Sequence, residues 1–219
     1  MIPGVILAGG ASSRMGRAKA LLPTANEGQT FLSQLVRTLW AGGVDDVVVV
    51  VSSLSGDVES ALSKESLSYR LVVNHQPERG QISSVLTALA AIDRPGVTGM
   101  LVTLVDVPLV SPETISRILA AFRARHGPVV RPASGAKHGH PVVFGREVFD
   151  DLRRADQSVG LKSVIRAHEA AIINVPIDDP GAFIDIDDPE DYVKFIGPWP
   201  FRKSLRCLLY TSPSPRDRG

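Results

Sequence analysis

The chain has 219 residues, 44% of them hydrophobic, and carries 24 Lys and Arg against 23 Asp and Glu. That is enough apolar material for a full core, which excludes a disordered chain and a small disulfide-stapled scaffold. Five of the bases and one of the acids fall in the last 22 residues, Pro198 to Gly219, so Met1 to Gly197 keeps 19 bases against 22 acids, a net of −3. A mildly acidic body argues against a nucleic-acid groove, which needs a basic face, and leaves room for a local basic pocket for phosphates. The only cysteine, Cys207, lies in the tail, so the body has no disulfide, cysteine metal site or thiol nucleophile. No apolar run approaches the ~20 residues that span a bilayer, and the N-terminus has no basic start or cleavage pattern. A cytoplasmic protein without a membrane partner is expected.

In chain order, apolar runs of strand length recur at Val5 to Ala8, Val47 to Val51, Tyr69 to Val73, Met100 to Leu104, Val129-Val130, Val142 to Phe144 and Ile172-Ile173. They are continuous rather than alternating, as strands covered on both faces require. Between them, Phe31, Leu35, Val36 and Leu39 keep helical spacing after a capping Thr30 and stop at Gly42-Gly43. Ile82, Val85, Leu86 and Leu89 predict a second helix. Ser111-Pro112-Glu113 opens a third with Ile115, Ile118, Leu119 and Phe122 on one stripe. Alternation of strand and helix predicts an α/β fold with a mostly parallel sheet flanked by helices. After about Gly127 the pattern loosens, with helical stretches near 146–154 and 161–168. This half is expected to supply substrate loops and edge strands to the same sheet. The single domain is placed at 1–197, and 198–219 is read as a non-native or disordered tail.

The strongest local signal follows the first strand: Leu7-Ala8-Gly9-Gly10-Ala11-Ser12-Ser13-Arg14-Met15-Gly16, then Lys19. Glycines let backbone N–H groups close on oxyanions, and Arg14 and Lys19 add charge as a planar fork and a point charge. The spacing fits neither the P-loop nor the dinucleotide fingerprint. Residues 7 to 19 resemble the signature loop of the MobA-like NTP transferases, which load a nucleotide onto molybdopterin. The resemblance covers nearly all of residues 2 to 196. It implies a single Rossmann-like domain of the nucleotide-diphospho-sugar transferase type, a nucleoside triphosphate and a phosphorylated pterin as substrates, and a molybdoenzyme apo-protein as a downstream partner.

Asp106 ends the strand Met100 to Leu104, where α/β sheets hold their ligands. Asp106-Val107-Pro108 is similar to the family's Asp-Met-Pro motif, which implies a Mg2+ ligand. The later run Asp185-Ile186-Asp187-Asp188-Pro189-Glu190-Asp191 opens the last helix, where capping explains part of its acidity. The resemblance brings it back to the active site. Asp185 and Asp187 alternate around Ile186 and either is placed to be a second metal ligand, with Asp187 favoured. Removing any of the three carboxylates is expected to relieve like-charge repulsion.

Asn74 and Gly80-Gln81-Ile82-Ser83-Ser84 look like the family's segment for base and ribose, which makes Asn74, Gly80 and Ser84 nucleotide-binding candidates together with Leu7, Ala8, Gly9, Gly10, Ser12, Arg14, Met15, Gly16 and Lys19. Gly139-His140-Pro141-Val142-Val143-Phe144 is similar to a stretch of the cytidylyltransferase branch that borders the pterin pocket, implying substrate contact at His140 and Pro141. Leu7 to Gly10 has the guanylyl form, while the back half leans to CTP, and the longer match is weighted. The alternatives are a guanylyltransferase, a sugar- or polyol-phosphate nucleotidyltransferase, and a non-catalytic accessory protein for molybdoenzyme maturation.

Overall fold

The computed structural model describes residues 1–10, 14–52, 58–59, 62, 67–156 and 160–201. Its strands are β1 (Gly4–Leu7), β2 (Val47–Val51), β3 (Arg70–Val73), β4 (Gly99–Leu104), β5 (Val129–Ser134), β6 (Lys137–His138), β7 (Val142–Gly145) and β8 (Ile173–Pro176). The helices are α1 (Phe31–Ala41), α2 (Gln81–Ile92), α3 (Pro112–Arg125), α4 (Phe149–Arg154), α5 (Leu161–Ala167) and α6 (Pro189–Phe195). All eight strands join one sheet in the order β3-β2-β1-β4-β7-β5-β6, with β8 on β5. The first four run parallel, and β8 is parallel to β5. The apolar runs are continuous because alternate side chains enter different cores. Ile6, Val49 and Leu101 meet α1 and α3 on one face, while Val5, Val48, Val102 and Val129 meet α2, α4 and α5 on the other. Among the described residues no helix is long and apolar enough to cross a membrane.

The second half does join the same sheet, with one difference from the edge-strand expectation. Strand β7 is interior, inserted antiparallel between β4 and β5. Four short residues, Val142-Val143-Phe144-Gly145, are fully buried there because both neighbours satisfy the backbone. The short β6 and the one-turn helices carry too few residues for any period to show.

Strand order reverses at β1, which pairs with β2 on one side and β4 on the other, and crevices at such switch points hold ligands. The strand ends there are stitched together. Ala8 N donates to Val50 O (2.8 Å), Val105 N to Leu7 O (3.1 Å) and Asn74 N to Val51 O (2.8 Å). The distant acidic segment is tied to this rim by Ile186 N donating to Asp106 O at 2.7 Å. Asp188 caps α6 by accepting from Glu190 N and Asp191 N, each at 2.9 Å. Tyr192 then stacks on Phe31 at 6.0 Å and donates to Pro23 O at 2.9 Å. Packing runs past the expected boundary at 197: Trp199 meets Tyr192 edge-on at 5.1 Å, and Phe201 lies under the Arg17 guanidinium at 4.0 Å. Large aromatics cover the end of α6, which the proline-rich composition of this segment concealed. Residues 202–219 lie outside the described residues.

The approach to the acidic segment is fixed by Asp179, whose carboxylate accepts from Ser111 N (2.9 Å), Thr114 Oγ1 (2.7 Å) and Gly181 N (3.0 Å). Burial pushes this carboxyl up, but the hydrogen bonds from Thr114, Ser111 and Gly181 outweigh it and hold it below the ordinary range. Its contribution to stability is therefore complete above the unfolded value of about 3.9 and lost as pH falls through the lower folded value. Asp179→Asn should flatten that part of the acid limb in urea titrations run from pH 5 downward. At Gly181 an added Cβ would run into the Leu109 carbonyl. Gly181→Ala should cost about 1–3 kcal/mol in the same unfolding assay, because backbone must move to admit it.

Candidate active site

At the carboxyl ends of β1 to β4 a cleft of about 580 Å3 opens, lined after β1 by Leu7, Gly9, Gly10, Arg14 and Lys19. Ser52 after β2, the turn Pro77, Glu78, Gly80, Gln81 and Ser84 after β3, Leu104, Val105 and Asp106 at the end of β4, and Asp187 complete the lining. Two glycines have a structural reason. At Gly9 an added Cβ would lie 3.2 Å from Ser52 N, tighter than ordinary contact. Gly80 has φ 76° and ψ −168°, a conformation essentially confined to glycine, and it turns the chain into α2.

Lys19 stands between the two acidic segments. Its Nζ donates to Asp187 Oδ1 at 2.6 Å and to Asp106 Oδ2 at 3.3 Å, and its side chain is only 11% exposed. Arg14 Nη2 donates to the other Asp187 oxygen at 2.9 Å from a largely exposed position. The Lys19 hydrogen bond, with Arg14 behind it, holds the Asp187 carboxyl below the ordinary range. Asp185 is pushed the other way, by burial and by the charges of Asp106 and Asp187. His140 is held low by burial, against the pull of Asp185 and Asp106, and its Nδ1 is a buried atom without a hydrogen-bond partner among the described residues.

Of the residues singled out in the sequence, Leu7, Gly9, Gly10, Arg14, Lys19, Gly80, Ser84, Asp106 and Asp187 all reach the cleft wall. Others do not. Met15 is 4% exposed and belongs to the core, against which the partly buried Ala8 packs, and Gly16, with φ 65°, is not on the wall. Ser12 lies outside the described residues. Asn74 is buried with its amide committed: Nδ2 donates to Ser83 Oγ (2.8 Å) and Ser84 Oγ (3.0 Å), and Oδ1 accepts from Gln76 N (2.9 Å). It positions Ser84 rather than facing the cleft. Asp185, His140 and Pro141 are not on the cleft wall; Asp185 and His140 lie within electrostatic reach of Asp106, and His140 N donates to Ala182 O at 2.8 Å. The residues that sequence reasoning missed are Ser52, Pro77, Glu78, Leu104 and Val105. Only the Pro-Glu turn ahead of Gly80 carried a signal.

For a metal, Asp106 Oδ1 is a buried oxygen with no hydrogen-bond partner among the described residues, beside two further carboxylates. That is an arrangement short of positive charge. Among the described residues no group of three or more His, Cys, Asp or Glu is set to hold an ion. Magnesium fits such a site, since it usually takes one or two carboxylates and completes its shell with water and phosphate oxygens.

The opposed environments of Asp185 and Asp187 revise the expectation that losing any of the three carboxylates relieves repulsion. Asp187 is neutralised by Lys19 and Arg14, so Asp187→Asn should lower the melting temperature at pH 7. Asp185→Asn should raise it. For Asp185 the gain should shrink as pH drops towards the ordinary carboxylate range, because the raised folded value means wild type regains stability there by protonation. Calorimetry from pH 7 to 4 separates the two; equal shifts of the same sign would refute the assignment.

Comparison with known proteins identifies the family. The model of the MobA-like NTP transferase domain matches residues 4–172. The chain is 35% identical over 151 residues to the nicotine blue oxidoreductase of Paenarthrobacter nicotinovorans, covering 65% of this chain and 70% of that protein. It is 28% identical over 200 residues to the molybdenum cofactor guanylyltransferase of Rhizobium meliloti, covering 86% and 88%. The crystal structure of Rv0371c from Mycobacterium tuberculosis superposes with a TM-score of 0.74 at 27% identity, over 88% of this chain and 96% of that one. The same protein has also been solved in complex with manganese, and that structure superposes with a TM-score of 0.69 at 26% identity over 89% and 97% of the two chains. With the glycine loop, the basic pair and the strand-end carboxylate in one cleft, the chain belongs to the MobA-like NTP transferase family.

Proposed function

We propose that this protein transfers a cytidylyl group from CTP to the phosphate of molybdopterin or the molybdenum cofactor, releasing pyrophosphate, in a magnesium-dependent reaction. The observation that carries the reading is Lys19 bridging Asp106 and Asp187 beside the glycine loop, with Arg14 on the same carboxylate. A triphosphate entering along Gly9 and Gly10 meets backbone N–H groups first, then two cations already gathered at one end of the cleft. Arg14 and Lys19 exchange carboxylate partners for the β- and γ-phosphates and hold them as pyrophosphate leaves. Asp106 and Asp187 would hold magnesium, which when bound supplies positive charge to the phosphate oxygens. The acceptor's phosphate oxygen forms the new bond to the α-phosphorus while the bond to the bridging oxygen breaks. The attacking group is already anionic, so no side chain has to remove a proton, and the protein's work is alignment and charge neutralisation.

For the base, the back-half match to the cytidylyl branch supports CTP. Gly9 has a packing reason of its own in the approach to Ser52, which weakens its value as a marker of GTP. GTP is the second reading, favoured by the name of the Rhizobium meliloti relative. The name of the Paenarthrobacter relative points to redox chemistry. Two carboxylates clasping a lysine beside a glycine loop suit a metal-bound triphosphate, which supports group transfer here. A reaction that consumes nucleoside triphosphates fits the cytoplasm.

Pyrophosphate release measured with CTP, GTP, ATP and UTP, each with and without molybdopterin, tests the proposal. Release with CTP only when molybdopterin is present is the expected outcome, and no acceptor-dependent release with any nucleotide sinks it. Asp106→Asn should lower turnover about 10²–10³-fold, about 2.7–4 kcal/mol, as deletion of other charge-stabilising groups does. Lys19→Ala and Arg14→Ala should each lower it about tenfold or more with the fold retained.

A further inference from the structure

We infer that Arg131, held in place by Asn174 and His138, is a binding site for an oxyanion of the acceptor substrate. The inference rests on the nucleotidyl-transfer reading for the identity of that substrate, while the site itself rests on its own geometry. From Thr114 to Arg146 the chain carries no Asp or Glu, although it contains Arg131 and Lys137 on the β5–β6 hairpin. Among the described residues no carboxylate comes within ion-pair distance of Arg131. Its fork is instead pinned by neutral groups: Nε donates to Asn174 Oδ1 at 2.9 Å, and Nη2 lies 3.1 Å from His138 Nε2. An arginine that only tied strands together would be expected to meet a carboxylate. Here the cation is oriented by neutral groups and has no carboxylate at ion-pair distance, Glu169 acting on it only from further off, as a site for an incoming anion requires.

The surroundings agree. Arg131 is held below the ordinary arginine range by burial, against the opposing pull of Glu169. His138 is lowered by burial and then by the Arg131 charge, so it faces the guanidinium as a neutral acceptor. An oxyanion bound at the remaining guanidinium N–H groups would relieve both.

Sheet register places the site relative to the cleft. Val129 and Val142 belong to the core on the α2 face, the same core as Leu7 and Ile82. By alternation along β5, Arg131 shares the face of Val129, and its register partner Asn174 on β8 points with it. Continued by one residue, the β5–β7 register sets Arg131 level with Val142, which pairs with Val102 of β4. Leu104 on the cleft lining is two strands across, about 10 Å, and two residues further along, about 7 Å. Arg131 thus shares a sheet face with the cleft and lies outside its wall, and a second substrate held there spans that distance to bring its phosphate to Asp106 and Lys19.

The test uses the intact protein and two readouts. In the first, inorganic phosphate is titrated while the Arg131 side-chain Nε–H and the His138 ring signals are followed by NMR. A saturable shift at both, retained in Lys19→Ala and absent in Arg131→Gln, is expected. No shift in wild type, or a shift that disappears with Lys19→Ala, overturns the site, since phosphate would then be reporting the nucleotide cleft alone. In the second, Arg131→Gln should raise the acceptor KM about tenfold or more while the nucleotide KM and kcat stay within twofold. An unchanged acceptor KM overturns the inference. Arg131→Lys keeps the stem and charge but loses the fork. It should raise the acceptor KM by a smaller factor and melt as wild type, so it carries the kinetic test if Arg131→Gln does not fold. Absence of any transfer by wild type would count against the nucleotidyl-transfer reading alone, because the phosphate titration still decides the anion site.

Discussion

The clasp of Lys19 by Asp106 and Asp187 is the contact on which the rest of the site depends. It joins residues 87 and 168 positions apart in the chain, at 3.3 and 2.6 Å. The carboxylates of Asp106 and Asp187, with Asp185 close by, would repel one another in a partly buried cleft, and a mostly buried ammonium placed between them removes that conflict. The basic residues and the carboxylates are thereby already gathered in the cleft, where on the proposed reading they meet a triphosphate. Electrostatic preorganisation of this kind spares the enzyme from gathering charge at the moment of reaction.

That clasp is possible only because the sheet delivers its parts to one rim. Parallel β1 to β4 end at the same level, and the switch in strand order beside β1 leaves the gap that becomes the cleft. Asp106 stands two residues past the end of β4, while Asp187 arrives from much later in the chain. Its position is set by an unbroken series of local contacts: Asp179 under the Ser111 turn, Gly181 against Leu109, Ile186 hydrogen-bonded to Asp106, and Tyr192 stacked on Phe31. Apart from Asp106, none of these residues lines the cleft. They set its dimensions from behind.

The uneven loading of polar groups around the rim divides the site by role. Arg14 and Lys19, which follow β1, and the polar turn at Pro77 to Gln81, which follows β3, both line the cleft. The β5–β6 hairpin brings a separate guanidinium along the same sheet face. Asn74 shows how a polar residue can serve such a site without entering it: both its amide hydrogens hold serine hydroxyls at the start of α2, and its oxygen holds the following turn. A buried amide satisfied this completely is a rigid strut.

Much of this was legible in the sequence. Continuous valine runs announce strands buried on both faces, and capping residues such as Thr30 and Ser111 mark helix starts, because these preferences are set by neighbours within a turn or two. The glycine loop with Arg14 and Lys19, and Asp106 at a strand end, were readable for the same reason: their chemistry lies in residue type and immediate spacing. What tertiary structure alone decided concerns pairs distant in the chain. Alternation of Asp185 and Asp187 makes them equivalent on paper, yet Lys19 and Arg14 meet only Asp187, so one carboxyl is held low and the other pushed high. Met15 has the same standing as its neighbours within the signature, and only the packing sends it into the core. The interior place of β7, the role of Ser52 on the cleft lining and the packing of Trp199 and Phe201 on the body likewise depend on which surfaces meet across the fold. Local sequence sets propensity and charge, but burial and partnership are properties of the assembled chain, and they determine which of several similar residues does the chemistry.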